Sequence, residues 1–242
     1  GKTSGAYSIG IFGNHPYVLL NYTKTLTDIF TIAHEMGHAL HSYFSNKTQP
    51  YAKSQYKIFV AEVASTVNEM LLLRYLLANT QEKNIRKYLL NYFMDMIRMT
   101  LFRQTQFAEF EAEAHAMAER GEPLNKDNLS ALYYDLNKKY YGEGVVHDRE
   151  IEIEWARIPH FYNAFYVYKY ATGITAAIAI SDKILKEGAP AVERYFAFLR
   201  GGCSKDPVTL LREAGADLTN KETFDAAMQQ FLGALEEFMS LS

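Results

Sequence analysis

The sequence predicts a mainly α domain with a small β-hairpin at its N-terminal end, and three observations carry that prediction. From residue 25 onward, apolar residues recur at helical spacing rather than in alternation. The connections between these stretches are short and are punctuated by Gly or Pro. Only residues 1–24 read as β, and 242 residues that are 48% hydrophobic suffice for one large domain, taken here as 1–242.

In GAYSIGIFGNHPYVLLNY, two short runs, Tyr7–Phe12 and Tyr17–Tyr22, flank a Gly-Asn-His-Pro turn, a hairpin signal. Pro16 at the start of the second run suits an edge strand, which either covers a helix or pairs with an extended peptide. A first helix is expected from Thr25 to about Ser45, with Thr25 as N-cap and Asp28 in capping-box spacing. Ile29, Ile32, Ala33, Met36, Leu40 and Phe44 recur along it, so the helix is expected to be amphipathic and mostly buried. A second helix is expected over 54–79, and a long pattern over 83–120, either two helices or one kinked helix, stops at Gly121-Glu122-Pro123. Residues 126–140 form another, stopped at Gly142 and Gly144, and 145–162 read as irregular or partly extended. Helices resume at 163–186, 190–199, 207–214 and 221–239. Short loops between long apolar helices indicate an all-α body with a β appendage.

Composition narrows the function classes. A net charge of −3 gives no electrostatic case for nucleic acid or an acidic membrane surface. No apolar stretch approaches the roughly 20 residues that span a bilayer. The single Cys203 suits a reducing compartment, which points to the cytoplasm. Eighteen tyrosines suit either a peptide-binding groove or ordinary helix packing. The chain opens at Gly1 without a Met and reads as part of something longer.

The chemistry-bearing motif is His34-Glu35-Met36-Gly37-His38 on the first helix. Residues four apart lie one turn apart on nearly the same face, so His34 and His38 can offer two imidazole nitrogens to one ion. Glu35 lies about 100° round from His34, placed to handle a water rather than to be a third ligand. This is the H-E-x-x-H pattern, which predicts one zinc ion per chain.

A catalytic zinc takes three protein ligands and keeps an open position. His41 shares the face, but about 10.5 Å of helical rise separates it from His34, too far for donors on one ion. That leaves His41 beside the ligands or facing substrate. Glu62 on the next helix, among Val60, Val63 and Ala64, solves the geometry better, because a carboxylate in so apolar a setting is costly unless paired or metal-bound. Glu69, two turns on, is the rival, or else orients a histidine from behind. Gly142-Glu143-Gly144 lacks the Lys and Ser/Thr of a phosphate loop, and His15, His115 and His147 show no ligand spacing.

With HEMGHALHSYF and FVAEVASTVNE in hand, the chain resembles the thimet-oligopeptidase group of zinc peptidases, specifically its oligoendopeptidase F branch. KTSGAYS near the start, FRQTQFAEFE at 102–111 and WARIPHFYNAFYVYKYATG at 155–173 look like that branch too, so the resemblance covers essentially the whole chain. It implies a multi-helix, zincin-like catalytic domain with His34, His38 and Glu62 as zinc ligands and Glu35 as general base. It implies that His160 and a tyrosine stabilise the oxyanion and that further tyrosines hold the substrate backbone. Tyr168 is taken as the oxyanion donor, with Tyr162 and Tyr166, which would share a helical face, as substrate contacts. It implies a cytoplasmic endopeptidase for oligopeptides whose missing N-terminal part packs against this portion. The alternatives are a carboxypeptidase or dipeptidase, with Arg103, Arg149 or Arg157 fixing a terminal carboxylate, and a helical module holding a structural zinc.

Overall fold

A computed structural model describes residues 5–241, so Lys2, Thr3 and Ser4 of the KTSGAYS motif lie outside the described residues. Strands β1 (Tyr7–Ile9) and β2 (Tyr17–Leu19) form an antiparallel hairpin, with Tyr7 opposite Leu19 and Ile9 opposite Tyr17. Both strands are shorter than the alternation predicts.

Helix α1 spans Leu26–Thr48 and starts as expected. Thr25 accepts from the Asp28 amide while the Asp28 carboxylate accepts from the Thr25 amide at 2.8 Å, a complete capping box. Its burial is corrected in one respect. Phe44 packs into the core, whereas Ile29, Ile32, Met36 and Leu40 are exposed in this chain.

The second helix, expected over 54–79, starts later as α3 (Ala61–Asn79), after a short turn α2 (Tyr51–Ser54) and a 3-10 turn at Ile58–Val60. The 83–120 pattern is helical throughout: α4 (Lys83–Ile97), a π-helical turn at Arg98–Phe102, and α5 (Arg103–Glu119). Helix α6 (Lys126–Tyr141) is capped by the Asn125 side chain and stops at Gly142, whose φ of 66° favours glycine. The irregular segment resolves into 3-10 helices at Arg149–Arg157 and Pro159–Tyr162. Helix α7 runs Tyr168–Glu187 and begins five residues later than predicted, followed by α8 (Ala189–Leu199), α9 (Pro207–Ala214) and α10 (Lys221–Ser240).

The chain divides into two compact units, residues 1–95 with 172–242, and residues 96–171. In the first, α3 is buried nearly all round. Val63, Ala64 and Val67 meet Ala176, Ala177 and Ile180 of α7 and Phe198, Leu199, Leu210 and Leu211 of α8 and α9. Burial of each large apolar side chain contributes about 1.5–3 kcal/mol, which fixes α3 as the platform for α1. The second unit has an aromatic core of Phe107, Phe110 and Tyr133, packed by Trp155 and Phe161. No described helix is long and apolar enough to cross a membrane.

Candidate metal centre

Helices α1 and α3 run antiparallel. Asn68 donates to the Ala33 carbonyl at 3.0 Å near one end of the contact, and Gly37 meets Ala64 and Ser65 a turn further along. Gly37 is what allows so close an approach. A Cβ there would stand 2.5 Å from the Ala64 carbonyl oxygen and from the Ser65 Cα, both backbone atoms that cannot swing aside. On the other side of Glu62, a Cβ at Gly173 would lie 3.7 Å from the Glu62 Cβ.

This packing brings three donors together. His34 Nε2 stands 3.2 Å from His38 Nε2 and 3.3 Å from Glu62 Oε2, and His38 Nε2 stands 3.5 Å from the same oxygen. Donors bound tetrahedrally at 2.0–2.1 Å are separated by about 3.3–3.4 Å, so the triangle has the size that zinc requires. Among the described residues these three form the group that could hold a metal ion. Glu62 occupies the first turn of α3, where the helix dipole favours its negative charge.

The electrostatics ask for a cation. Burial works against charge on His34, yet the Glu62 and Glu69 carboxylates outweigh it and push its pKa up to about 10. Burial likewise opposes ionisation of Glu62, but His34 and His38 hold it well below the usual carboxylate range. Glu69 is not in the triangle; it bonds the far nitrogen of His34, Nδ1, from behind. That contact fixes the ring so that Nε2 faces His38 and Glu62.

Glu35 is 6% exposed, and its Oε2 is a buried oxygen with no hydrogen-bond partner. It lines a 480 Å³ cleft together with His34, Glu69, Tyr92 and Leu20–Thr23, the chain that leaves the hairpin. Tyr92, which the sequence did not single out, stacks on Phe30 at 4.3 Å; burial and the charge of Glu69 push its phenol up. His41 lies outside the triangle, 1% exposed and stacked face to face on Tyr56 at 3.7 Å. Burial, aided by His38, brings it down to about 3, and its burial excludes a substrate-facing role.

In the second unit, His160 lies on the 3-10 turn Pro159–Tyr162. Its Nε2 is 3.1 Å from the Tyr170 hydroxyl, and its ring stacks on Tyr166 at 5.5 Å. The residues between do not form a helix, so the expectation that Tyr162 and Tyr166 share a helical face fails. Phe165 adopts φ 54°, held there by a 2.7 Å bond from its amide to Glu111 and by stacking on His115. Tyr162 is largely exposed and Tyr168 half-exposed at the start of α7. Tyr170 was missed because its pairing with His160 depends on that left-handed turn. His147 is occupied locally, 2.9 Å from the Asn137 amide nitrogen and 2.8 Å from the Gly142 carbonyl, and His15 is 3.0 Å from the Pro16 carbonyl.

Against known families, residues 1–230 match the profile of peptidase family M3. The chain belongs to peptidase family M3. Within the family it is 52% identical over 241 residues to oligopeptidase PepF of Bacillus subtilis, covering all of this chain and 36% of that protein. It is 46% identical to an oligoendopeptidase F homolog of Borreliella burgdorferi, covering 41% of it. A crystal structure of oligoendopeptidase-F from Enterococcus faecium superposes with a TM-score of 0.80 at 45% identity, over 89% of this chain and 39% of that one. A solved structure from Chlamydophila abortus superposes with a TM-score of 0.91 at 47% identity, over 99% of this chain and 40% of that one. The chain therefore spans about two fifths of the length of these relatives.

Proposed function

We propose that these 242 residues are one catalytic domain of a cytoplasmic zinc endopeptidase that hydrolyses oligopeptides. The observation that carries this reading is the His34–His38–Glu62 triangle, sized for zinc beside a buried Glu35 whose Oε2 has no hydrogen-bond partner. His34, His38 and Glu62 hold one zinc ion, whose chemistry is to acidify a water and polarise the scissile carbonyl. Glu69 accepts the Nδ1 proton of His34 and so keeps its Nε2 lone pair on the metal side. Glu35 takes the proton of the attacking water and passes it to the departing amine. His160 and Tyr168 stabilise the oxyanion, while Tyr162 and Tyr166 hold the substrate backbone. Support for that assignment is the resemblance of the PHFYNAFYVYKY run to the oligoendopeptidase F branch and the anchoring of His160 between Tyr166 and Tyr170. The remainder of the full-length chain packs against this portion.

An exopeptidase needs a cation for the terminal carboxylate. Arg103 and Arg157 are both bonded to Glu154, and Arg149 pairs weakly with Glu152 at 3.5 Å, which favours the endopeptidase. A structural zinc closes with four Cys or His ligands, whereas three donors including a carboxylate leave a tetrahedral position open. The test is Glu35→Gln in the full-length enzyme, assayed on an internally quenched peptide blocked at both ends. Hydrolysis should fall about 10³-fold with zinc content unchanged. Activity that needs a free terminus would overturn the endopeptidase reading, and a protein without zinc would overturn the whole.

A further inference from the structure

Glu111 is a buried carboxylate that the proposed chemistry does not use. It lies on α5, which Phe107 and Phe110 seat in the aromatic core of the second unit, and it is 6% exposed. Among the described residues its one hydrogen-bond partner is the Phe165 amide, which donates to Oε1 at 2.7 Å. An apolar side chain would fill such a place at lower cost, so a carboxylate there answers a need of the backbone it meets.

That need is visible at Phe165. Its φ of 54° is left-handed, a conformation that glycine or asparagine tolerates and a bulky aromatic resists. His115, one turn along α5, stacks on the Phe165 ring with centroids 4.6 Å apart. Glu111 therefore holds the backbone, and His115 the side chain, of the same residue. Core packing does not explain this grip, because Phe165 itself is 51% exposed. A hydrogen bond to a carboxylate is of the size of the strain it offsets here.

The turn matters for where it points its neighbours. Phe165 follows His160 by five residues and precedes Tyr168 by three. Tyr166, next in the chain, stacks on His160, and Val167 is fully buried at the entry to α7. A return of this φ to an ordinary value of about −63° would swing the chain through roughly 120° between His160 and Tyr168.

We propose that Glu111 is a positioning residue for peptide hydrolysis. By accepting from the Phe165 amide it fixes the left-handed turn, and the turn sets the directions in which His160, Tyr166 and Tyr168 present their polar atoms. Glu111 acts through the turn, and His115 assists it from the same helix. This role rests on the reading above, in which His160 and Tyr168 stabilise the oxyanion and Tyr166 holds the substrate backbone.

The experiment compares Glu111→Leu with Glu111→Gln in the full-length enzyme on the blocked, internally quenched peptide, with kcat expressed per zinc-loaded molecule. Glu111→Leu removes the acceptor and should lower kcat about 30- to 100-fold. Glu111→Gln keeps an oxygen at the same reach and should stay within about threefold of wild type. Hydrogen exchange at the Phe165 amide, read without substrate, should quicken at least about 10-fold in Glu111→Leu and stay slow in Glu111→Gln. A second pair leaves Glu111 in place, so the test survives a Glu111→Leu that does not fold. Phe165→Asn and Phe165→Val both delete the ring, but only asparagine tolerates a left-handed φ, so kcat should be at least about 10-fold lower for Phe165→Val. Equal kcat in that pair would overturn the proposal. So would a Glu111→Leu within about threefold of wild type, or a Glu111→Gln that falls as far as Glu111→Leu. A wild-type enzyme that binds zinc yet leaves the peptide uncut removes the peptidase reading and this role with it. A wild-type enzyme that cuts the peptide no faster than Glu111→Leu removes this role alone.

Discussion

Two carboxylate clusters, one in each unit, differ in whether they carry their own cation. Glu154, buried in the second unit, accepts from Tyr133 at 2.6 Å and from Arg103 at 2.7 Å, and Arg157 adds a second guanidinium. Burial would raise its pKa, but Tyr133 and the two arginines outweigh burial and hold it below the usual range. In the first unit, Glu62 and Glu69 surround His34, Glu35 lies beside them, and no guanidinium or ammonium pairs with Glu62 or Glu69 among the contacts of the described residues. There an imidazole must serve as the cation, which is why His34 is pushed up to about 10. A self-neutralised cluster is architecture. A cluster short of one cation suits the ion proposed for it.

The contrast is sharpest under substitution. Glu62→Gln should remove zinc at stoichiometric concentration, read by elemental analysis after dialysis, and lower peptide hydrolysis by at least about 10³-fold with it. If zinc stays, the donor set is wrong. Arg103→Met removes one of the two guanidinium partners of Glu154 and should cost about 1.5–3 kcal/mol of stability in urea unfolding, with zinc content unchanged. Loss of zinc in that variant would blur the distinction between the two clusters. Glu69→Gln keeps the triangle but loosens the hold on His34, so zinc affinity should fall about 10–100-fold in a competition titration.

The smallest effect is with pH. The Glu154 carboxyl has a folded pKa below its unfolded one of about 4.3, so its contribution is complete above the unfolded value and is lost as pH falls through the folded one. Unfolding followed on Trp155, the one tryptophan of these 242 residues, should therefore show stability dropping below about pH 4 in the wild type. Glu154→Gln should be less stable at neutral pH and flatter across that window. Equal slopes would remove Glu154 as the titrating group.

Much of the first unit is legible in the chain because its signals are local. The capping box at Thr25 and Asp28, the one-turn spacing of His34 and His38, and the cost of a carboxylate among valines at Glu62 are all read within a few residues. The 149–170 segment is not legible in that way. The left-handed Phe165 is held by Glu111 and His115 from a helix far away in sequence, Glu154 of the first 3-10 turn is held by Tyr133 and Arg103, and Tyr170 meets His160 beyond the turn.

The sequence by itself determined that HEMGH lies on a capped helix and that the next helix carries two carboxylates, Glu62 and Glu69, within reach of it, because period and polarity are properties of neighbouring residues. Tertiary structure alone decided the rest. Gly37 lets two backbones approach closely enough to bring Glu62 within 3.5 Å of both imidazoles, and Glu69 falls behind the ring rather than into the triangle. Hydrophobic periodicity reported that Ile29, Ile32, Met36 and Leu40 want burial, but only the packed chain shows that the described residues do not supply it. Periodicity records a demand, and only tertiary contacts say what meets it.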